Sequence, residues 1–164
     1  AHWSTDTAAN KAQMTHLLDA HESRAERAPS NLRKHFDLIR KTVGMASLKD
    51  TAERLLALPT EGDEWLATAA DTFRRGSPTS AALAWELQHR CRHRSLADVF
   101  RIEYNVAISC CAAHDFAEGV RALLIDKDRS PKWDPPTLAA VEQKFIESHF
   151  RDHHDGAHPL SDWR

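Results

Sequence analysis

The stretch Glu118-Gly119-Val120-Arg121-Ala122-Leu123-Leu124-Ile125-Asp126-Lys127-Asp128-Arg129-Ser130-Pro131-Lys132-Trp133 decides how the rest of the chain is read. A short helix from about Phe116 to Leu124 is expected to end inside it, and Pro131, Pro135 and Pro136 make the link that follows irregular. Glu118 reads as a carboxylate near the start of that helix, where it would complement the helix dipole. Gly119 is explained by helix packing. Trp133, after Ser130-Pro131-Lys132, is expected to plug a helical array as a large apolar anchor.

Outward from this stretch the pattern stays helical. Only ten residues are Val or Ile, while Ala, Leu, Glu, Arg and Lys dominate, and no segment alternates as a strand would. A first helix is expected from about Asp6 to His21, then a polar link through Arg24 to Pro29. Leu32, Phe36, Ile39 and Val43 repeat at helical spacing and stop at Gly44. Ser47-Leu48-Lys49-Asp50 is a capping-box-like start, its helix using Leu48, Leu55 and Leu56 and ending at Pro59. Trp65, Leu66, Ala69 and Phe73 carry another helix, closed by Gly76. Ser77-Pro78 places a capping hydroxyl before a proline at the first helical position, and that helix should run to about Arg92 with Leu83 and Leu87 on its apolar side. Ser95-Leu96-Ala97-Asp98 opens the longest helix, to about Ala113. Val99, Ile102, Val106 and Cys110 line one stripe of it, beside Phe100, Tyr104 and Cys111. Leu138 to Phe150 is the last expected helix, before a polar tail. The expectation is an all-α fold of seven or eight short helices, residues 1–164 forming one domain.

With 164 residues, 41% hydrophobic and 28% charged, the composition is that of a globular protein with a real core, and a net charge of -2 gives no electrostatic ground for nucleic acid or an anionic membrane as partner. The longest apolar run, Val106 to Ala113, is interrupted by Ser109 and falls short of the roughly 20 residues a membrane helix needs. Three cysteines, two adjacent at Cys110 and Cys111, make a poor disulfide framework and favour a reducing compartment. The first residues, Ala1-His2-Trp3-Ser4-Thr5-Asp6, have neither a basic nor an apolar signal region, so any targeting peptide is expected upstream.

The stretch from Glu118 to Trp133 closely resembles the C-terminal signature of 3-hydroxyisobutyryl-CoA hydrolases, a branch of the crotonase (enoyl-CoA hydratase/isomerase) superfamily. Further segments resemble that family in the same order. These are Ser77-Pro78-Thr79-Ser80, the helix Ser95-Leu96-Ala97-Asp98-Val99-Phe100-Arg101-Ile102-Glu103-Tyr104, His114-Asp115-Phe116-Ala117-Glu118-Gly119, and the ending with His149-Phe150 and His158-Pro159-Leu160. Ala1-His2-Trp3-Ser4 is similar to a turn that follows the last part of the crotonase core. The resemblance implies the C-terminal helical domain of a longer crotonase-like protein, which covers the acyl pocket, contacts CoA and contributes to subunit association.

In the crotonase fold, glycine-containing loops hold the thioester oxygen and paired carboxylates handle protons or water. Thioester hydrolysis needs both. Neither set is found in this sequence, whose glycines at 44, 62, 76, 119 and 156 are explained by helix ends, turns or packing. No catalytic residue is therefore assigned, and no cofactor: acyl-CoA is the implied substrate and an N-terminal catalytic crotonase half the implied partner, with a homo-oligomer as a further expectation. In crotonases a residue pair near the end of the Glu-Gly helix approaches the adenosine end of CoA. The resemblance carries that role to Leu123 and Lys127, the lysine pairing with a phosphate. Asp126 stands where other crotonases have a basic residue. Read without the resemblance, Lys127 is a solvated lysine ending a helix.

Other polar clusters read more plainly. His149 and His153 stand at i,i+4, sound ligand geometry, but Gly156 and Pro159 mark a fraying end, so a solvated tail is expected and no metal site. His89-Arg90-Cys91-Arg92-His93-Arg94 complements a helix C-terminus. Cys110 and Cys111 have only His114 near as a base, and packing explains Cys110 better than a nucleophile. Trp65 and Trp85 read as core or inter-helix residues. Two functions follow. One is the C-terminal part of a CoA thioester hydrolase acting on 3-hydroxyisobutyryl-CoA, a step of valine breakdown, in a bacterial cytoplasm or a mitochondrial matrix and inactive alone. The other is a non-catalytic crotonase-derived scaffold, since members of the resembled family are also components of some mitochondrial ribosomes.

Overall fold

The structure, a computed structural model, describes residues 3–21, 29–44 and 47–163. Ala1 and His2 of the N-terminal turn, and residues 24–28 of the expected polar link, lie outside them. The chain divides into two compact units, residues 1–36 and 37–164.

In the first unit, helix α1 (Thr7–Ala20) starts where Asp6 leaves extended backbone and its carboxylate accepts the N–H groups of Ala8 and Ala9. Ser4 and Asn10 exchange two hydrogen bonds, 2.9 and 2.7 Å, that close the entry to this helix. Ser30 caps the short α2 (Asn31–Lys34), which stops at His35.

The second unit starts at Asp37, the second residue of α3 (Phe36–Val43). The continuous helix expected from Leu32 to Val43 is thus two helices, because His35 adopts a non-helical backbone and interrupts the phase of the stripe. Leu32 and Phe36 stay more than half exposed, and the buried residue of α3 is Thr42, whose hydroxyl donates to Leu38 O.

The following starts obey capping chemistry. Ser47 caps α4 (Leu48–Leu56), Asp63 caps α5 (Glu64–Arg75), Ser77 caps α6 (Pro78–Cys91) and Ser95 caps α7 (Leu96–Ala112). Each side chain accepts a backbone N–H that would otherwise lack an intrahelical partner, an arrangement that contributes about 1 kcal/mol per cap.

The core of this unit sits where α6 and α7 meet the C-terminal helix. Ala82 and Leu83 of α6, Val106 of α7 and Ile146 form its buried centre, with Leu48, Leu87, Cys110, Leu138, Val141 and Phe150 packed around it. Ile146 is 2% exposed, and full burial of such a side chain contributes about 1.5–3 kcal/mol. After α8 (His114–Val120) the chain makes a π-helical turn, Arg121–Ile125, then runs irregularly to a 3-10 turn, Leu138–Ala140, and α9 (Gln143–Ser148).

The helix expected across Leu138 to Phe150 is therefore broken, since Val141 and Glu142 are extended. Leu138 and Val141 before the break and Ile146 and Phe150 after it all reach the same core. Among the described residues there are nine α-helices rather than seven or eight, no strand, and no helix long and apolar enough to cross a membrane.

Candidate functional site

The sixteen-residue stretch folds around Arg121. Its guanidinium pairs bidentately with Glu118, Nε to Oε2 at 2.9 Å and Nη2 to Oε1 at 2.8 Å. The other side of the fork donates to Asp126 (2.6 Å) and Asp128 (2.7 Å), and Nη2 reaches Ser130 O at 3.2 Å. Glu118 Oε1 also accepts the backbone N–H of Lys132 at 2.6 Å. The Arg121 hydrogen bonds, and after them that N–H, hold the Glu118 carboxyl down at about 2. The same guanidinium, with the Ser130 N–H, holds Asp128 below the usual carboxylate range, and the three carboxylates push Arg121 further up. Glu118 is thus a clamp on the following loop instead of a charge at a helix start, because it stands five residues into α8 and its partners come from further along the chain.

Trp133 ends the loop. Its indole N–H donates to Arg75 O at the end of α5 (2.8 Å), and its ring lies where a Cβ on Gly119 would be in ordinary contact, at 3.4 Å. The tryptophan anchors the loop through one polar and one apolar contact.

Beneath this stretch lies a cavity of about 620 Å³. Its outer wall comes from Phe116, Gly119, Leu123, Leu124, Pro131 and Trp133, and its inner wall from Ser77, Thr79, Leu83, Cys110, Ala122 and His149. The inner residues other than Cys110 are each less than 9% exposed, so the cavity has an apolar rim and a buried floor. Ser77 and Asp115 make a short hydrogen bond, 2.5 Å, in which the hydroxyl donates while its oxygen also caps α6 through the Ser80 N–H. Asp115 Oδ1 accepts the Asp134 N–H at 2.9 Å. Both carboxylates bordering the cavity and its loop, Glu118 and Asp115, are therefore engaged in holding backbone.

The structure separates the two expected CoA contacts. Leu123 lines the cavity from the π-helical turn and is 62% exposed. Lys127 stands beyond the turn, exposed, with a left-handed φ of 57°, and does not line the cavity. Its flanking carboxylates, Asp126 and Asp128, are both engaged with Arg121.

His114 Nε2 donates to Lys132 O at 2.9 Å and so serves the loop rather than either cysteine. Burial pushes the Cys110 thiol up, which suits its place in the wall. In the basic segment, Arg90 bonds Glu86 and Glu147 and lies over the Phe150 ring at 3.9 Å, so it belongs to the fold. Trp85 stacks obliquely on His89.

The expected solvated tail is borne out for residues 151–153 and 155–157, which are exposed, and corrected at His149. His149 is 2% exposed, His153 Nε2 meets Ser109 Oγ at 2.6 Å, and His154 packs edge-on against His158, which in turn meets Tyr104. Arg101 donates to the carbonyls of Leu160, Ser161 and Trp163. The tail is held by α7, a partner 40 or more residues away, which its own polar composition does not reveal. Among the described residues no group of three or more His, Cys, Asp or Glu could hold a metal ion. Thr79 and His149 were not expected at this cavity: the sequence marked them only through the family-like segments Ser77-Pro78-Thr79-Ser80 and His149-Phe150, and Thr79 lies one turn before Leu83 on the buried face of α6.

Comparison with known proteins sharpens this. Residues 2–150 match the enoyl-CoA hydratase/isomerase family. The chain is 34% identical over 142 residues to the 3-hydroxyisobutyryl-CoA hydrolase, mitochondrial, of Danio rerio, covering 85% of this chain and 36% of that protein. To its Homo sapiens counterpart it is 32% identical over 131 residues, covering 79% and 33%. Among solved structures it is similar to an enoyl-CoA hydratase from Rhodobacter sphaeroides (27% identity, TM-score 0.66, 87% of this chain and 42% of that one). It is equally similar to a carnitinyl-CoA dehydratase from Mycobacterium thermoresistibile (27%, 0.66, 88% and 43%).

The chain thus spans about a third of the length of the curated relatives it matches. These matches overturn the all-α class: the fold is the crotonase fold, which is α/β. Helical composition reports local propensity, and the class of a fold is set by everything its helices pack on.

Proposed function

The chain belongs to the enoyl-CoA hydratase/isomerase family, in its 3-hydroxyisobutyryl-CoA hydrolase branch, and on that premise we propose that it covers the acyl site of a CoA thioester hydrolase acting on 3-hydroxyisobutyryl-CoA or a similar short acyl-CoA. The observation that carries this reading is the cavity of about 620 Å³, whose outer wall is the sixteen-residue stretch itself. Its volume is more than ample for a short acyl group, and its apolar walls would exclude water from a thioester.

The groups that polarise the thioester and activate water come from elsewhere in the enzyme on this reading. Hydrolysis needs a group able to take a proton from water, and in the crotonase fold that group is a carboxylate. Glu118 is held at about 2 by Arg121 and the Lys132 N–H, and Asp115 is spent on Ser77 and Asp134. Lys127 and Leu123 are proposed as CoA contacts, the ammonium toward a phosphate and Leu123 toward the apolar arm. The engagement of Asp126 and Asp128 with Arg121 keeps the acidic neighbours of Lys127 from competing for it. The mitochondrial names of the curated relatives support a mitochondrial setting.

The test is release of free CoA from 3-hydroxyisobutyryl-CoA, measured on this chain alone and with a catalytic crotonase half supplied in trans. The expected result is no turnover alone and turnover when the halves are combined, reduced by Leu123→Glu at the rim. Turnover by the isolated chain would overturn the reading.

A further inference from the structure

The C-terminal tail folds back on α7 through a histidine whose two ring nitrogens have fixed hydrogen-bond roles. His158 Nδ1 accepts the Leu160 N–H at 3.0 Å, and its Nε2 lies 3.2 Å from Arg101 O. An N–H only donates and a carbonyl only accepts, so Nδ1 carries the lone pair and Nε2 the proton. His158 thus closes this turn as a neutral imidazole. Pro159 fixes the backbone between His158 and Leu160. Gly156, at φ 97°, supplies a left-handed bend between His154 and His158, whose rings meet edge-on at 4.7 Å.

The surroundings offer a second proton no partner. A proton on Nδ1 would stand against the Leu160 N–H, donor against donor. Both ring nitrogens of the neighbouring His154 are buried with no hydrogen-bond partner among the described residues, so a charge on that ring would leave two donors unanswered. From α7, Tyr104 presents its ring to His158 at 5.2 Å. The Arg101 guanidinium sits on the same segment, with Nε 3.1 Å from Leu160 O and Nη2 bonded to the carbonyls of Ser161 and Trp163. Asp98 of α7 is paired with Arg101 Nη1 at 2.8 Å. Within the tail, Asp152 accepts from Asn105, His153 is engaged with Ser109, and Arg151, Asp155 and Asp162 are exposed. Neither nitrogen of His158 meets a carboxylate among the described residues.

Beyond the turn, Trp163 packs edge-on against Phe100 of α7 at 5.3 Å. Phe100 is 40% exposed, and Leu96, one turn before it, 72%. The segment from His158 to Trp163 therefore covers part of an apolar face of α7, held there by its carbonyls on Arg101 and by the His158 turn.

We propose that this segment is a proton-operated latch: it closes on α7 while His158 is neutral and opens when Nδ1 takes a proton, uncovering Phe100 and Tyr104 beside the exposed Leu96. The incoming proton takes the lone pair that holds the Leu160 N–H, so that hydrogen bond breaks, and the charged ring stands beside the Arg101 guanidinium. The open segment accepts the proton and the closed one does not. Closure is therefore favoured at neutral pH and is lost as the pH falls through the range of a free imidazole, about 6.5.

The test follows hydrogen exchange at the Leu160 amide, as a protection factor between pH 7.5 and 5, with the His158 Nδ1 resonance read by NMR over the same range. Leu160 protection should fall about tenfold as Nδ1 takes its proton, while the Val106 amide in the core stays protected. His158→Asn keeps a side-chain oxygen that can accept the N–H two residues on and does not titrate, so it should hold the segment closed and remove the fall. His154→Phe keeps a ring against His158 and should leave the fall in place. Leu160 protection independent of pH in the unmodified chain overturns the latch, as does a fall that survives in His158→Asn. Loss of the fall in His154→Phe alone assigns the proton to His154 and overturns it equally. If His158→Asn is open at every pH, the unmodified chain decides: matching midpoints for Nδ1 protonation and Leu160 opening support the latch, and differing midpoints overturn it.

Discussion

The loop clamped by Arg121 and the tail after α9 are both polar, both largely without regular structure, and both are held by an arginine, yet they are built on different scales. Arg121 collects Glu118, Asp126, Asp128 and Ser130, all within nine residues of itself. Arg101 collects carbonyls from Leu160, Ser161 and Trp163, about sixty residues on. The first arrangement closes small loops at small entropic cost and depends on carboxylates. The second depends on α9 being seated in the core before any of its hydrogen bonds can form.

The largest effect should come from unseating the tail. Ile146→Ala removes the most buried side chain of the core and should cost about 2–5 kcal/mol in urea unfolding. It should expose His149 and His154 to solvent exchange while leaving the Trp133 environment unchanged. Equal disturbance at Trp133 would mean that the two regions are not separable.

Next, Arg121→Ala should open the clamp without touching the tail, and protease cleavage at Lys127 and Arg129 should rise about tenfold at neutral pH. The pH dependence has a definite sign. Glu118 is depressed from 4.5 to about 2, so its contribution is present above 4.5 and is lost as pH falls from 4.5 through about 2. Loop protection in the unmodified chain should therefore fade across that window, and Arg121→Ala should abolish the fade. A loop equally protected at pH 2 and 7 would contradict the clamp.

Arg101→Ala should cost less, about 1–2 kcal/mol, with hydrogen-exchange protection lost around Leu160 to Trp163 only. The smallest effect is expected for Gly119→Ala. The added methyl would meet Trp133 at an ordinary 3.4 Å, and alanine suits a helix, so the variant should gain about 0.5 kcal/mol. A loss above 1 kcal/mol would show the tryptophan seated more tightly than that contact allows.

Legibility in the sequence follows the same division of scale. Ser47, Ser77 and Ser95 announced the starts of α4, α6 and α7, because a cap satisfies N–H groups two or three residues away. Leu83 and Val106 were readable as core from helical spacing alone. The break at His35, the extended link at Val141 and Glu142, and the role of Glu118, which joins Arg121 at i+3 to the Lys132 N–H fourteen residues on, were not. The cavity was invisible because its floor joins Thr79 of α6 to His149 after α9, seventy residues apart.

The sequence by itself determined the helix starts, the apolar faces of the middle helices and the family, all of which rest on neighbours within a turn or on an ordered motif. Only the tertiary structure decided that His149 is a buried floor residue instead of part of a solvated tail, that Glu118 clamps a loop, and that these helices enclose a cavity. Burial and pairing are properties of contacts between distant segments, and those contacts exist only once the core around Ile146 has closed.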